Sequence, residues 1–131
     1  MKETVLYYTP QSTKQSRTLK GILVRMGIRI RNISPQQVNQ TVGMLAGVPE
    51  FEEKADTVKA SPSQSIPEEV LILHQFSEQR LDALLLALRK ANVRIALKAI
   101  VTEQNCSWTF YQLYEEIRQE HEKMHQNAEP N

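Results

Sequence analysis

The sequence is poor in the residues that mark several common kinds of protein. Its 131 residues include a single cysteine, Cys106, which excludes an internal disulfide and favours a reducing compartment. Its four glycines form neither a GxGxxG nor a Walker spacing, so the usual phosphate-binding loops are missing. No apolar run approaches the roughly 20 residues of a membrane span, and the apolar run near the amino terminus is too short for a signal peptide. We therefore expect a cytoplasmic protein without contact to a membrane, without a metal and without another cofactor.

The length bounds the number of domains. A chain of 131 residues predicts one domain, residues 1–131, large enough to fold without a disulfide or a metal. A polar stretch, residues 51–68, lacks a sustained hydrophobic period and is interpreted as a linker or a long surface loop.

The net charge of +1 conceals an asymmetry. Residues 1–48 hold seven basic side chains and one acidic side chain, whereas residues 49–131 hold nine basic and fourteen acidic ones. Two solvated faces of opposite sign are the simplest interpretation. Head-to-tail self-association, an acidic partner and a nucleic acid are the alternatives.

The two halves of the chain resemble each other. A shift of 65 residues aligns Val5 with Val70 and Gly27 with Asn92, and a shift of 75 then aligns Ile33 with Trp108. In both halves a Ser or Thr is followed three residues later by Gln, which is the spacing of a capping box. We therefore predict an internal β-α-β-α repeat that covers residues 4–48 and 69–124.

Hydrophobic periodicity predicts four strands that alternate with four helices. The strands are expected at about 4–9, 28–33, 69–74 and 93–102, and the helices at about 13–26, 35–46, 78–91 and 110–124. Strands one and three are continuous apolar runs, typical of central parallel strands, whereas strand two alternates Ile with Arg and suits a sheet edge. The predicted fold is α/β, with a four-stranded, mainly parallel sheet and helices packed on it; a ferredoxin-like α+β sheet is the alternative.

Polar side chains follow the predicted strands. In open parallel sheets ligands bind beyond the carboxyl ends of the strands, where we expect Thr9, His74, Thr102 and Asn105 to gather. Helix amino termini at the same edge favour anions. The structural alternative is that Thr102 and Asn105 only shape the loop and that His74 is exposed.

The string His121-Glu122-x-x-His125 has the spacing of a zinc peptidase motif. A catalytic zinc also needs a third protein ligand, and His125 is followed by no His, Asp or Cys. The surroundings of the string are polar on nearly every face. We interpret it as the solvated end of helix four.

Residues 69–122 resemble a small bacterial family, domain-of-unknown-function family 3783. The resemblance lies in VLILHQFSEQRLDALLLALRKANV and LKAIVTEQNCSWTFYQLYEEIRQEH, and above all in a Lys-Ala-x-x-Thr-x-x-Asn turn before a Trp-Thr helix start. It implies no known activity and directs attention to that turn. With His74 added, the candidate ligand-binding residues are His74, Lys98, Thr102, Asn105, Trp108 and Thr109.

The sequence favours a non-enzymatic binding or regulatory domain that acts through protein contacts, including contacts with a second copy of itself. The first alternative is a protein that binds a small anion or metabolite at the 98–109 turn. The second is weak nucleic-acid binding by the basic amino-terminal half, which charge alone supports. No catalytic residue is assigned.

Overall fold

The computed structural model describes residues 3–48 and 66–128. The first half contains β1 (Thr4–Tyr8), α1 (Lys14–Arg25), β2 (Arg29–Asn32), a 3-10 turn (Pro35–Gln37) and the short helix α2 (Val42–Ala46). The second contains β3 (Val70–His74), α3 (Glu78–Lys90), β4 (Leu97–Ile100), a 3-10 turn (Asn105–Ser107) and α4 (Phe110–Ala128). Within these residues no helix combines the length and the apolar character needed to cross a membrane.

The four strands form one mixed sheet in the order β2-β1-β3-β4. Both outer pairs, β1 with β2 and β3 with β4, are parallel, and the central pair is antiparallel, with Leu6 opposite Ile72. The predicted α/β fold with a mainly parallel sheet is thus confirmed. The expectation that strands one and three lie in a parallel arrangement is wrong, because β1 and β3 run in opposite directions.

Both central strands are buried on their two faces. Val5 and Tyr7 of β1 point to one face of the sheet, and Leu6 and Tyr8 point to the other. All four side chains are almost completely buried, which explains the continuous apolar run. The alternating β2 lies at an edge, as predicted.

Helices cover both faces of the sheet. Leu19, Ile22 and Leu23 of α1, with Leu84 and Leu88 of α3, pack on one face. The opposite face is covered by α2 and α4, whose buried side chains are Val42, Leu45, Phe110, Leu113, Tyr114 and Ile117. The result is a three-layer α/β/α arrangement with a core cluster on each side of the sheet.

The second predicted helix, 35–46, is replaced by the 3-10 turn and α2. The carbonyls of Val38 and Gln40 accept hydrogen bonds from Tyr111 and Phe110, at 2.8 and 2.9 Å. These carbonyls therefore do not accept from the next turn of the predicted helix 35–46. The Val42 N–H donates instead to the Trp108 carbonyl, at 2.8 Å. Hydrogen bonds between the halves thus divide the helix that local periodicity favours.

Strand four is also shorter than the predicted 93–102. Val93 and Ile95 pack in the core cluster beside α1 and α3. The backbone of Arg94 is held by the Gln15 side chain, which accepts from its N–H at 3.1 Å and donates to its carbonyl at 2.9 Å. Residues 91–96 consequently form a connection and only Leu97–Ile100 joins the sheet.

The two halves share the same order of elements, and their helix ends correspond. Gly27 and Asn92 both adopt left-handed backbone conformations, at φ +73° and +60°, and the residue after each donates to the helix five positions back. The predicted shift of 65 residues aligns Val5 with Val70, but these two side chains point to opposite faces of the sheet. The alignment of β1 with β3 is therefore wrong by one residue. The sequence repeat itself stays a prediction.

The predicted linker lies almost entirely outside the described residues. Near its end, Ile66 is completely buried, and its N–H donates to the Tyr8 hydroxyl at 3.1 Å.

Candidate functional site

The direction of the central strands divides the polar cluster that the sequence predicts. Thr4 of β1 lies opposite His74, and Tyr8 lies opposite Val70. Thr9 therefore follows β1 at one end of the sheet, whereas His74 and Thr102 lie at the other end. The expectation that Thr9 joins His74, Thr102 and Asn105 is wrong, because it required β1 to run parallel to β3, whereas the two strands are antiparallel.

The Lys/Thr/Asn turn is closed by its own side chains. The Asn105 Oδ1 accepts from the Thr102 N–H at 2.8 Å, and the Thr102 Oγ1 accepts from the Asn105 N–H at 3.1 Å. The Asn105 Nδ2 donates to the Ile100 carbonyl at 3.0 Å, and its residue is 7% exposed. The amide of Asn105 is thus occupied in joining the end of β4 to the turn.

The start of α4 has its backbone amides engaged. Thr109 and Gln112 form the predicted capping box: the Thr109 N–H donates to Gln112 Oε1 at 2.9 Å, and the Gln112 N–H donates to Thr109 Oγ1 at 3.1 Å. The Phe110 and Tyr111 amides donate to carbonyls of the first half. The donors that an anion would require at this helix start are therefore already used within the protein.

The remaining predicted residues do not all lie on one face of the sheet. His74 ends β3 and is half-buried, and burial lowers the pKa of its imidazole. Trp108 packs partly against the α2/α4 core cluster. Lys98 points to the other face of the sheet, since Leu97 and Ala99 on either side of it contact that cluster. The six candidates thus do not form one site.

A groove lies between α3 and the start of β4, with a volume of about 510 Å³. Its apolar lining includes Leu85, Leu88, Val93 and Ile95, and its charged lining consists of Arg89, Arg94 and Lys98. The lining side chains include no acid, and the three cations are exposed; the Lys98 Nζ also donates to the Ile95 carbonyl at 2.5 Å. Of the predicted residues this groove contains only Lys98.

Arg89 and Arg94 were not singled out from the sequence, although a signal was present. Residues 83–102 contain four basic side chains and no acidic one. The groove also depends on the length of the connection before β4. Six residues connect α3 to β4, whereas three connect α1 to β2.

The rim of the groove is fixed by a hydrogen-bonded clasp. Gln15, in the first turn of α1, binds both backbone groups of Arg94 and also donates to Glu69 Oε1 at 2.7 Å. The second oxygen of Glu69 accepts from the buried hydroxyl of Tyr7. Burial and this carboxylate raise the pKa of the Tyr7 phenol. The backbone that carries Arg94 is therefore held in place before any ligand binds.

A second depression, of about 460 Å³, lies on the opposite layer at the start of α4. It is lined by Trp108, Tyr111, Gln112, Glu115 and Glu116. The two depressions carry opposite charge, cationic beside α3 and anionic beside α4.

The histidine string lies within α4, which continues beyond it to Ala128. Glu122 accepts from the Arg118 guanidinium at 2.9 Å, and the His121 side chain is exposed. The side chain of His125 lies outside the described part. In the part that is described, no three His, Cys, Asp or Glu side chains are grouped as ligands of a metal ion.

The described residues thus form a three-layer α/β domain with a cationic groove at one sheet edge. Residues 69–124, from the residue before β3 well into α4, match the family model named Domain of unknown function (DUF3783). The match confirms the resemblance of the second half of the chain to this family and covers fewer than half of the 131 residues. No curated protein and no solved structure matches the chain.

Proposed function

We propose that this protein is a non-enzymatic binding domain that acts through protein contacts, with the cationic α3–β4 groove as its contact surface. The observation that carries the proposal is the combination of an apolar floor with Arg89, Arg94 and Lys98 and no acidic lining residue. Apolar area supplies affinity on desolvation, and surface cations with no acidic side chain in the groove lining select an acidic partner and accelerate its encounter.

A second copy of the chain offers a suitable acidic surface. Residues 83–102, from α3 to just beyond β4, carry four basic side chains and no acidic one, whereas α4 carries four acidic and two basic ones on the opposite layer. Contact between the groove of one copy and the α4 surface of the next joins two different patches, so self-association would be head-to-tail. We propose this contact as the form in which the domain binds itself.

Sedimentation velocity at about 50 and about 500 mM salt tests the proposal, because salt screens contacts between exposed charges. We expect the average mass to rise with protein concentration at low salt and to fall to that of the monomer at high salt. The double variant Arg89→Glu/Arg94→Glu removes the association, whereas Lys14→Glu/Arg17→Glu, an equal charge change on α1 outside the groove, retains it. A monomer at both salt concentrations would exclude self-association, and equal effects of the two variants would exclude the groove.

Weak nucleic-acid binding is a second candidate, favoured by α1 alone. This helix carries Lys14, Arg17, Lys20 and Arg25 and no acidic side chain. A gel-mobility assay at low salt tests it: absence of a shift would remove this candidate, and a shift lost in Lys14→Glu/Arg17→Glu would support it.

Nothing in the 98–109 turn favours the small-anion alternative, since the Asn105 amide and the α4 amides are engaged.

We further propose that the protein works in the cytoplasm of a bacterium. The support is the single cysteine and the resemblance of the second half to a bacterial family. Fractionation of the source cells tests the location.

A further inference from the structure

We infer that the groove also accepts, in place of α4 of a second copy, an extended acidic segment of a different partner protein, which adds to the sheet as a fifth strand along β4. This inference rests on the proposed function, because it takes the groove to be the contact surface. It adds the conformation of the partner and the pattern of its side chains.

Among the described residues β4 is an outer strand of the sheet, and the backbone groups on its outer side face away from β3. The Val101 N–H donates to the Leu73 carbonyl at 2.8 Å, so Val101 and, by the two-residue period, Ala99 direct their backbone groups towards β3. Lys98 and Ile100, which alternate with these two residues, direct their backbone groups outward. The Ile100 carbonyl is taken by Asn105 Nδ2.

Three outward groups remain for a partner strand: the N–H and C=O of Lys98 and the N–H of Ile100. Within residues 3–48 and 66–128 none of the three has a backbone partner. An extended peptide recognises an open edge of this kind through its own main chain, and its side chains provide selectivity.

The side chains of β4 specify the pattern of that peptide. Lys98 and Ile100 point to the same face of the sheet as the groove, and the Ile100 residue is 48% exposed. A strand paired with β4 places every second side chain on this face. An acidic side chain beside Lys98, Arg89 and Arg94, followed two residues later by an aliphatic one beside Ile100, matches both the charge and the apolar surface.

Charge selects this occupant over a second β4 of the same protein. Pairing of two β4 edges would bring Lys98 and the cationic groove of one copy towards those of the other, which like-charge repulsion opposes. A single lysine on an edge strand discourages such pairing and leaves the edge available to an acidic strand.

The test is fluorescence anisotropy of a labelled nine-residue peptide in which Glu alternates with Val, added to the full-length protein at low salt. The same peptide with N-methyl groups on the amides of every second residue, in either register, cannot make the main-chain bonds but keeps all the charges. We expect the methylated peptides to bind at least about tenfold more weakly, a difference of about 1.4 kcal/mol. A Lys/Val peptide should not bind.

On the protein, Ile100→Pro removes one outward N–H without removing a hydrogen bond to β3, and proline is tolerated on edge strands. Ile100→Val is the matched control, which keeps the N–H. We expect Ile100→Pro to lower affinity at least about fivefold and Ile100→Val to lower it less than about twofold, with circular dichroism verifying that both fold.

The outcomes separate this inference from the proposed function. If methylation and Ile100→Pro leave binding unchanged while Arg89→Glu/Arg94→Glu abolishes it, the groove binds acidic partners but strand addition is wrong. If the wild-type protein does not bind the Glu/Val peptide, strand addition is again wrong, and sedimentation then decides the proposed function separately.

Discussion

Asn105 illustrates at the scale of one residue how a family motif serves the fold. Its carboxamide oxygen and nitrogen each bond a backbone group, the Thr102 N–H and the Ile100 carbonyl. The sequence indicated Asn105 correctly as a special position, because Thr-x-x-Asn is a spacing at which side chains close turns. It did not indicate whether the amide faces a ligand, since that depends on which backbone groups the fold leaves unpaired.

We expect Asn105→Ala to lower the free energy of unfolding by about 2 to 4 kcal/mol, because it leaves a backbone donor and an acceptor without their partner. The measurement is urea-induced unfolding. Gln104→Ala, an exposed neighbour, is the control and should change stability by less than about 0.5 kcal/mol. Equal stability of Asn105→Ala and wild type would show that the side chain does not hold the turn.

Tyr7 makes stability sensitive to alkaline pH. Burial and the Glu69 carboxylate raise the pKa of its phenol above the ordinary value of 10.0, so the folded state favours the protonated form. The contribution of Tyr7 to the free energy of unfolding is complete below the pKa that its phenol has in the unfolded chain. It is lost progressively as the pH rises above about 10.

We therefore expect Tyr7→Phe to be less stable than the wild type by about 1 to 2 kcal/mol near pH 8, since Glu69 loses a hydrogen bond. The difference should narrow between about pH 9.5 and 11, because ionisation of Tyr7 then stabilises the unfolded wild type, and phenylalanine has no proton to lose. Urea unfolding across this range measures both. A difference that stays constant with pH would contradict the pKa assignment.

At the scale of elements, local chemistry predicted starts and ends better than lengths. Thr109 and Gln112 form the predicted capping box, and Gly27 and Asn92 end α1 and α3 directly after the predicted helices 13–26 and 78–91. The extents of helix two and strand four were wrong because Phe110, Tyr111 and Gln15 bind the backbone of residues distant in sequence. No local window contains those partners.

The equivalent ends of α1 and α3 provide an exchange experiment. Both residues have positive φ, a conformation that glycine adopts without the steric cost of a Cβ atom. We expect Asn92→Gly to raise the unfolding free energy, and Gly27→Asn to lower it, each by about 0.5 to 1 kcal/mol. Thermal and urea unfolding measure the changes. Shifts of the same sign would refute the equivalence of the two ends.

At the scale of the whole molecule, local sequence patterns do not predict the relative direction of β1 and β3. Apolar runs such as VLYY and VLIL suit a central strand of either orientation, and the connection between the halves permits both. The direction is held by contacts between the halves. Glu3 pairs with Arg80 in the first turn of α3, at 3.0 Å, and Glu69 binds Gln15 in the first turn of α1.

The Glu3–Arg80 and Glu69–Gln15 contacts occupy equivalent places in the two halves. Glu3 precedes β1 and Glu69 precedes β3, and each reaches a helix of the other half. Arg80 also donates to the Met26 carbonyl at 2.6 Å, as Gln15 binds the backbone of Arg94. The sheet interior and these contacts together make each half dependent on the other.

The dependence has a testable consequence for the half that matches the family. In a fragment of residues 66–131, β3 loses its pairing with β1 and the apolar side chains Leu71 and Leu73 lose α1. We expect the fragment to be unfolded as a monomer, or to fold only as a dimer in which two β3 strands pair antiparallel, because the central pair nearly has two-fold symmetry. Circular dichroism with sedimentation equilibrium measures this. A folded monomer would contradict it.

The strand pairs of the sheet close chain loops of unequal length. The parallel pairs join residues 25 and 27 positions apart, whereas the β1–β3 pairs join residues 62 to 70 apart. Closing a chain loop costs entropy that grows only logarithmically, by about 0.6 kcal/mol for each doubling of its length. Residues added between the halves therefore change final stability little. Their effect falls mainly on the rate at which β1 and β3 meet, because pairing of distant residues slows folding.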